Sequence, residues 1–167
     1  VAYIAAGIRC DHESVRMEDA LAKMRLGMYA QFREGSAWHD LKETARSITE
    51  HRIDTRLATL VSDDTHPYTL IEQGHLDHIV RRAIEEGINP ITAIQMVTLN
   101  VAECFGMSRD VGSVAPGKLA DILLLSDLTQ LQVEQVLING QLVAKQGQVL
   151  TSGPEFLYPS FARQSVH

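Results

Sequence analysis

Positive charge is scarce relative to negative: 15 Lys and Arg stand against 21 Asp and Glu, a net charge of −6. Neither nucleic acid nor an anionic membrane would find the basic surface it needs as a main partner. No apolar run reaches the roughly 18 residues that span a bilayer, and no basic-then-apolar leader opens the chain. Cysteine is rare. Cys10 and Cys104 lie far apart in sequence and form no Cys-x-x-Cys pair, so neither a zinc knuckle nor a disulfide framework is indicated, and a reducing cytoplasm is the default expectation. Internal repeats and low-complexity tracts are also missing. What is present reads as globular: 45% hydrophobic and 22% charged residues over 167 positions suffice for one domain of ordinary size with its own core. A small molecule fits this surface better than a charged polymer. The opening "VAYIAAGIRC" has no initiator Met and reads as the middle of a fold, so a fragment or processed piece is expected.

Strand-like and helix-like periods alternate along the first hundred residues. After a short strand at 7–12, Met17, Ala20, Leu21, Met24 and Met28 recur at helical spacing, with Glu18 and Asp19 at the start, Lys23 and Arg25 near the end and Gly27 as a stop. "MYAQF" (28–32) reads as a second strand, followed by a helix with Leu41, Ala45 and Ile48 on one face. "RLATLV" (56–61) reads as a third strand. A helix from about His75 to Glu86 buries Leu76, Ile79, Val80, Ala83 and Ile84 and stops at Gly87. Asn89-Pro90 then starts a last helix running to about Phe105. Strands separated by helices of this length indicate βα units and a parallel sheet. Past residue 110 the helical period disappears. Short β-rich runs with Asn139-Gly140 placed for a type I′ turn predict a small antiparallel sheet within 111–150, and 151–167, carrying Pro154, Phe156, Tyr158, Pro159 and Phe161, reads as an irregular tail.

Three βα units are visible, at roughly 7–27, 28–50 and 56–87, and they suit either an open sheet or the last part of a (β/α)8 barrel. In both architectures ligands bind at the carboxyl ends of the strands. Those ends are polar: Asp11-His12-Glu13, then Arg33-Glu34-Gly35-Ser36, then Asp63-Asp64 within "LVSDDTHP". Each has an ordinary explanation, as an acidic first turn, a capped loop or an Asp-rich turn. Taken together they would bring imidazole, carboxylate and guanidinium groups to one rim. A divalent cation explains the combination, because imidazole and carboxylate are its usual ligands and its charge relieves the repulsion between paired aspartates. Of the other histidines, His39, His51 and His167 read as solvated surface. His66 lies in the loop over the site, and His75 and His78 flank the start of the following helix.

The stretches "GIRCDHESV", "LGMYAQFREGSA", "LVSDDTHP", "QGHLDHIVRRAIEEGINPITAIQMVTLNVAECFGM" and "GSVAPGKLADILLL" together resemble the C-terminal half of the catalytic part of the adenine deaminase branch of the amidohydrolase superfamily. "APGKLADILLL" is similar to many amidohydrolases; "DHES" followed by "REGS" and "GHLDHIVRRAI" points to the adenine deaminase branch. The resemblance implies a partial (β/α)8 barrel over 1–110, seen here in its last three βα units. It also implies that 111–150 is part of the small composite β-sandwich beside the barrel, with 151–167 as the tail. It implies that His12 is a metal ligand and that Asp63 both touches the metal and shuttles a proton. Arg33, Glu34 and Ser36 would face the purine, and Glu13 or Asp64 would orient His12 or water from behind. The implied reaction is hydrolysis of adenine to hypoxanthine and ammonia by a metal-activated water, with manganese or iron as the cation and zinc as the alternative.

The His-x-His pair, the carboxylate and the further histidine of this family have no counterpart in the chain, and "HLDH" (75–78) has the wrong spacing to replace them. In isolation the piece is therefore expected to be metal-poor and inactive. Its uncovered strand edge and apolar surface predict a homo-oligomer, aggregation, or association with the missing N-terminal half. Two other readings remain: a dihydroorotase-like or imidazolonepropionase-like enzyme acting on a cyclic amide, and a non-catalytic interaction module.

Overall fold

The computed structural model describes residues 1–153 and 157–163. Within it, β1 (Cys10–Asp11), β2 (Tyr29–Arg33) and β3 (Ala58–Val61) form a parallel sheet in the order β1-β2-β3. β2 is buried along its whole length, as expected of a strand paired on both sides and covered on both faces. Its register sets Ala30 opposite Ala58 and Arg33 opposite Val61, and sets Asp11 level with Ala30. β1, paired on one side only, keeps two residues of the predicted six. A short helix α1 (Ala2–Ala5), which no periodicity announced, precedes it.

The helices form where the apolar stripes predicted them. α2 (Met17–Arg25) buries Met17, Ala20, Leu21 and Met24, places Glu18 and Asp19 in its first turn and ends before Gly27, whose φ of +85° an L side chain rarely adopts. α3 (Leu41–Thr49) follows β2, and a 3-10 turn (Thr55–Leu57) takes the first residues of the expected third strand. α4 (Pro67–Glu72) lies in a stretch that gave no helical signal, with Pro at its start. α5 (Leu76–Glu85) presents Ile79, Val80 and Ala83 to the interior, with Ile84 partly buried, whereas Leu76, expected on the same face, is exposed in the first turn. One core results, in which Ala30, Phe32, Ala58 and Leu60 of the sheet pack with Met24, Leu41, Ala45, Ile79, Ile88 and Met96. Side chains alternate along a strand, so Gln31, Arg33 and Thr59 point to the opposite face of the sheet.

The last helix predicted for the α/β part is instead two helices: α6 (Pro90–Val97), capped by the Asn89 side chain, and α7 (Leu99–Cys104), broken at Thr98 with φ −123° and ψ −88°. The Thr98 hydroxyl donates back to the Ile94 carbonyl at 2.7 Å, a bond that tends to bend helices. The redirected α7 lets buried Asn100 donate to the carbonyls of Thr55 and Ala58, both at 2.8 Å, which ties it to the start of β3.

α7 also brings together the two cysteines that the sequence separates. Arg9 donates to the Glu103 carbonyl at 3.2 Å, and the neighbouring Cys10 and Cys104 interact directly. Burial first, and then the adjacent Cys10 sulfur, push the Cys104 thiol up to about 11. The thiolate is the reactive form, so burial and this shift make Cys104 slow toward thiol reagents near neutral pH. At pH 8, titration of the native protein with a thiol reagent should show one fast equivalent, lost in Cys10→Ser, and one slow one. Two fast equivalents would contradict this packing.

Beyond 121 the chain forms a four-stranded antiparallel sheet: β4 (Ile122–Asp127), β5 (Gln132–Ile138), β6 (Gln141–Lys145) and β7 (Gln148–Val149). Asn139 and Gly140 both have positive φ, 50° and 76°, as a type I′ turn requires. Leu125 and Leu131 pack the sheet onto the core. Leu123 and Leu124 are adjacent on β4 and so point to opposite faces, yet both are about half exposed, so each face has apolar surface that the described residues do not cover. Of the predicted tail, Pro154, Phe156 and His167 lie outside the described residues. No helix among the described residues is long and apolar enough to cross a membrane.

Candidate functional site

The parallel register brings the ends of all three strands to one rim. Arg33, the last residue of β2, lies at its centre with its side chain only 4% exposed. Its Nη1 donates to Glu13 Oε2 at 3.0 Å and to Asp63 Oδ2 at 3.2 Å. Nε and Nη2 both donate to Asp40 Oδ2, at 3.0 and 2.7 Å. Trp38 lies under the guanidinium, with its ring centre 5.2 Å from Cζ. Burial lowers the Arg33 pKa, but the hydrogen bond and charge of Asp40, with the charges of Glu13 and Asp63, outweigh it and hold the pKa above its ordinary value.

His12 and Asp63 follow β1 and β3, with β2 between them. They are joined through that central strand: His12 Nε2 lies 3.2 Å from Glu13 Oε1, and the other oxygen of Glu13 meets the same Arg33 nitrogen as Asp63. The His12 segment is held from below by α2. The Lys23 ammonium donates to Asp11 and, at 2.8 Å, to the Ser14 hydroxyl, while Asp11 Oδ1 accepts the Glu13 N–H.

The adjacent aspartates do not face each other. Asp63 adopts φ +58°, a left-handed conformation that Asp tolerates better than most residues, and this turn sends the two carboxylates apart. Asp63 meets Arg33, whereas Asp64 Oδ2 accepts the Ala37 N–H at 2.8 Å and the Asp64 carbonyl accepts the Ser36 N–H at 3.0 Å. Their repulsion is thus relieved within the chain by separation and by a guanidinium. The second Asp64 oxygen is buried without a partner among the described residues.

Glu34 is 7% exposed, with His39 Nδ1 at 3.3 Å and Arg82 Nε at 3.5 Å. His39 was expected to be free surface; its ring is exposed but tied to this carboxylate. The Ser36 hydroxyl accepts the His66 N–H and donates to Thr69 Oγ1, each at 2.8 Å, which fastens the loop after β2 to α4. His75 Nε2 lies 3.1 Å from the Ser62 hydroxyl. Desolvation, then the charge of Arg81, lowers the His78 pKa from its usual value. Sequence reasoning missed Asp40, Trp38 and Lys23. Asp40 precedes α3 and reads as its cap, yet it makes no capping hydrogen bond and turns to Arg33 instead.

The donor types at the rim suit a divalent cation, one imidazole from His12 and one carboxylate from Asp63. No cluster of three or more His, Cys, Asp or Glu among the described residues could enclose one.

A parallel sheet flanked by helices, a polar rim at its carboxyl ends and an attached antiparallel sheet agree with the family model for the amidohydrolase family, which matches residues 6–143. The chain belongs to that family. Within it, the chain is similar to adenine deaminases: 62% identical over 165 residues to that of Clostridium botulinum (strain 657 / Type Ba4) and 59% to that of Moorella thermoacetica. Adenine deaminase 3 of Rhizobium meliloti is 47% identical over the same length. Each match takes in 99% of this chain but 28% of the relative, so the chain spans little more than a quarter of these proteins. Among solved structures, β-aspartyl dipeptidase from Fervidobacterium islandicum AW-1 superposes with a TM-score of 0.62 at 16% identity, over 83% of this chain and 39% of its own. Phenylurea hydrolase B gives 0.56 at 20% identity, over 80% and 38%. These two likenesses bear on the fold alone, a partial barrel with a small sheet beside it.

Proposed function

We propose that the chain contributes part of the active site of an enzyme that hydrolyses adenine to hypoxanthine and ammonia. The observation that carries this reading is the placement of His12 and Asp63 on one rim, linked through Glu13 and Arg33, in a chain 59–62% identical to adenine deaminases over nearly its whole length. Residues 1–110 are proposed as the barrel portion, 111–150 as part of the small β domain and 151–167 as a tail, in a cytoplasmic protein.

Family membership implies a divalent cation, here taken as manganese or iron with zinc as the alternative; His12 and Asp63 would supply two of its ligands. When bound, the cation lowers the pKa of water and makes a nucleophile available at neutral pH. The carboxylate of Asp63 takes the proton released as water adds to the ring carbon bearing the amine, then returns it to the amine nitrogen so that ammonia can leave. Glu13 steadies the His12 ring from one side. The purine is proposed to lie over the loop after β2, near Arg33, Glu34 and Ser36, with the buried Glu34 carboxylate held in place by His39 and Arg82.

The further metal donors, and the cover for the two-faced sheet, are proposed to come from the region of the relatives that this chain does not span, or from a second copy. The test is turnover by the intact protein that carries this chain, loaded with manganese or ferrous iron: ammonia release from adenine, and ring opening of dihydroorotate and imidazolone propionate, which frees no ammonia, followed by loss of substrate absorbance. Adenine should be preferred by about 100-fold or more in kcat/KM. The 167-residue chain alone should bind less than stoichiometric metal and release no ammonia. Turnover of a cyclic amide in place of adenine would overturn the substrate reading, and a metal-loaded, active isolated chain would overturn the shared site.

A further inference from the structure

The contacts of Arg33 assign it a task different from holding substrate. Each hydrogen bond its guanidinium makes among the described residues goes to a carboxylate: Asp40, Glu13 or Asp63. The side chain is enclosed, at 4% exposure, and its planar face is occupied by Trp38. Four of its five N–H donors are taken by carboxylates, so a neutral purine acceptor would find one Nη2 N–H in an enclosed side chain or would have to displace a carboxylate whose full charge it lacks. The pairs also differ in kind. Asp40 is 15% exposed and holds two of the Arg33 nitrogens, which makes it the anchor; Glu13 is 66% exposed, and its pairing contributes little by itself. Asp63, at 31%, lies on the open side of the fork.

We infer that Arg33 is a positioning residue: clamped by Asp40 and Trp38, it uses Nη1 to fix the Asp63 carboxylate in the orientation that proton transfer requires and to hold Glu13 beside His12. This rests on the role proposed above for Asp63. A lysine cannot substitute, because a single ammonium lacks the fork that reaches Asp40 on one side and Asp63 on the other. The left-handed backbone at Asp63 makes such a hold useful, since a loop residue in a sparsely populated conformation keeps its aim only if its surroundings determine it.

The test uses Arg33→Ala, Arg33→Lys, Asp63→Asn and the Arg33→Ala/Asp63→Asn double variant in the intact metal-loaded protein, followed by adenine turnover and by urea unfolding. A positioning role predicts a fall in kcat of about 10–100-fold in both Arg33 variants, with KM for adenine changed by less than about threefold. It also predicts no further fall when Arg33→Ala is added to Asp63→Asn, partial rescue of Arg33→Ala by free guanidinium, and non-additive unfolding free energies for the pair. A large rise in KM with kcat retained would make Arg33 a purine contact and overturn the inference, as would additive unfolding energies. If the wild-type protein fails to turn over adenine while unfolding remains non-additive, the adenine reading falls and the coupling of Arg33 to Asp63 stands. Arg33→Lys keeps the charge in the enclosed site, so the comparison survives if Arg33→Ala does not fold.

Discussion

Asp63→Asn is expected to lower kcat for adenine by about 10³-fold or more, near the upper range for losing a general acid–base group, with the fold unchanged. The substitution is chosen because the position is demanding. Asp63 has φ +58°, and Asn is among the few side chains that occupy the left-handed region readily, so the loop keeps its course where Ala would strain it. The carboxamide oxygen can still accept from Arg33 Nη1, and Arg33 keeps its anchor on Asp40 and its contact with Glu13. What disappears is one negative charge, with part of the hold on the proposed cation, and the ability to carry a proton, so kcat is compared at equal metal content. Stability should fall by about 1 kcal/mol or less, since a partly exposed ion pair contributes no more than that. The measurement is kcat and KM for adenine beside a thermal melt. A loss under about tenfold with an unchanged melt would remove Asp63 from the proton-transfer step and favour a module that keeps the fold without turnover.

The sequence revealed types of element better than it revealed contacts. The stripe Met17, Ala20, Leu21, Met24 is a local property of one helix, and so is the Ile79, Val80, Ala83 face of α5; both predicted buried sides that the structure has. The polar strand ends were legible for a similar reason: once the strands are parallel and adjacent, their carboxyl ends share a rim whatever the spacing between them. Which groups meet there was not legible. Asp40 has the position of a helix cap, and only the closeness of β2 to the loop before α3 makes it the anchor of Arg33. The same holds for Cys10 and Cys104, 94 positions apart and brought together by the turn at Thr98. How the repulsion between the two adjacent aspartates is relieved was not legible either: a left-handed residue separates them by backbone geometry, which no residue count discloses.

Gly35→Ala should cost about 100-fold in rate and lower stability as well, although residue 35 carries no side chain. Its φ lies outside the left-handed region, so backbone strain is not the reason; space is. A Cβ there would press into the carbonyls of Ser62 and Asp64 and the buried Asp64 carboxylate, with the Asp64 carbonyl only 2.5 Å away. Two of these three are backbone atoms, fixed by Ser36 N–H on Asp64 and by the strand that ends at Val61. They flank Asp63, so relief of the clash has to move the residue between them. Overpacking of this kind costs about 1–3 kcal/mol of stability, and a displacement of about 1 Å at a reacting group costs about 100-fold in rate. Gly153→Ala, where an added Cβ meets nothing within 4 Å among the described residues, is the control and should leave both quantities unchanged. If Gly35→Ala melts normally and keeps kcat/KM within about threefold of wild type, the loops carrying Asp63 and Arg33 are more compliant than this packing implies, and a fixed alignment of the two groups loses its structural basis.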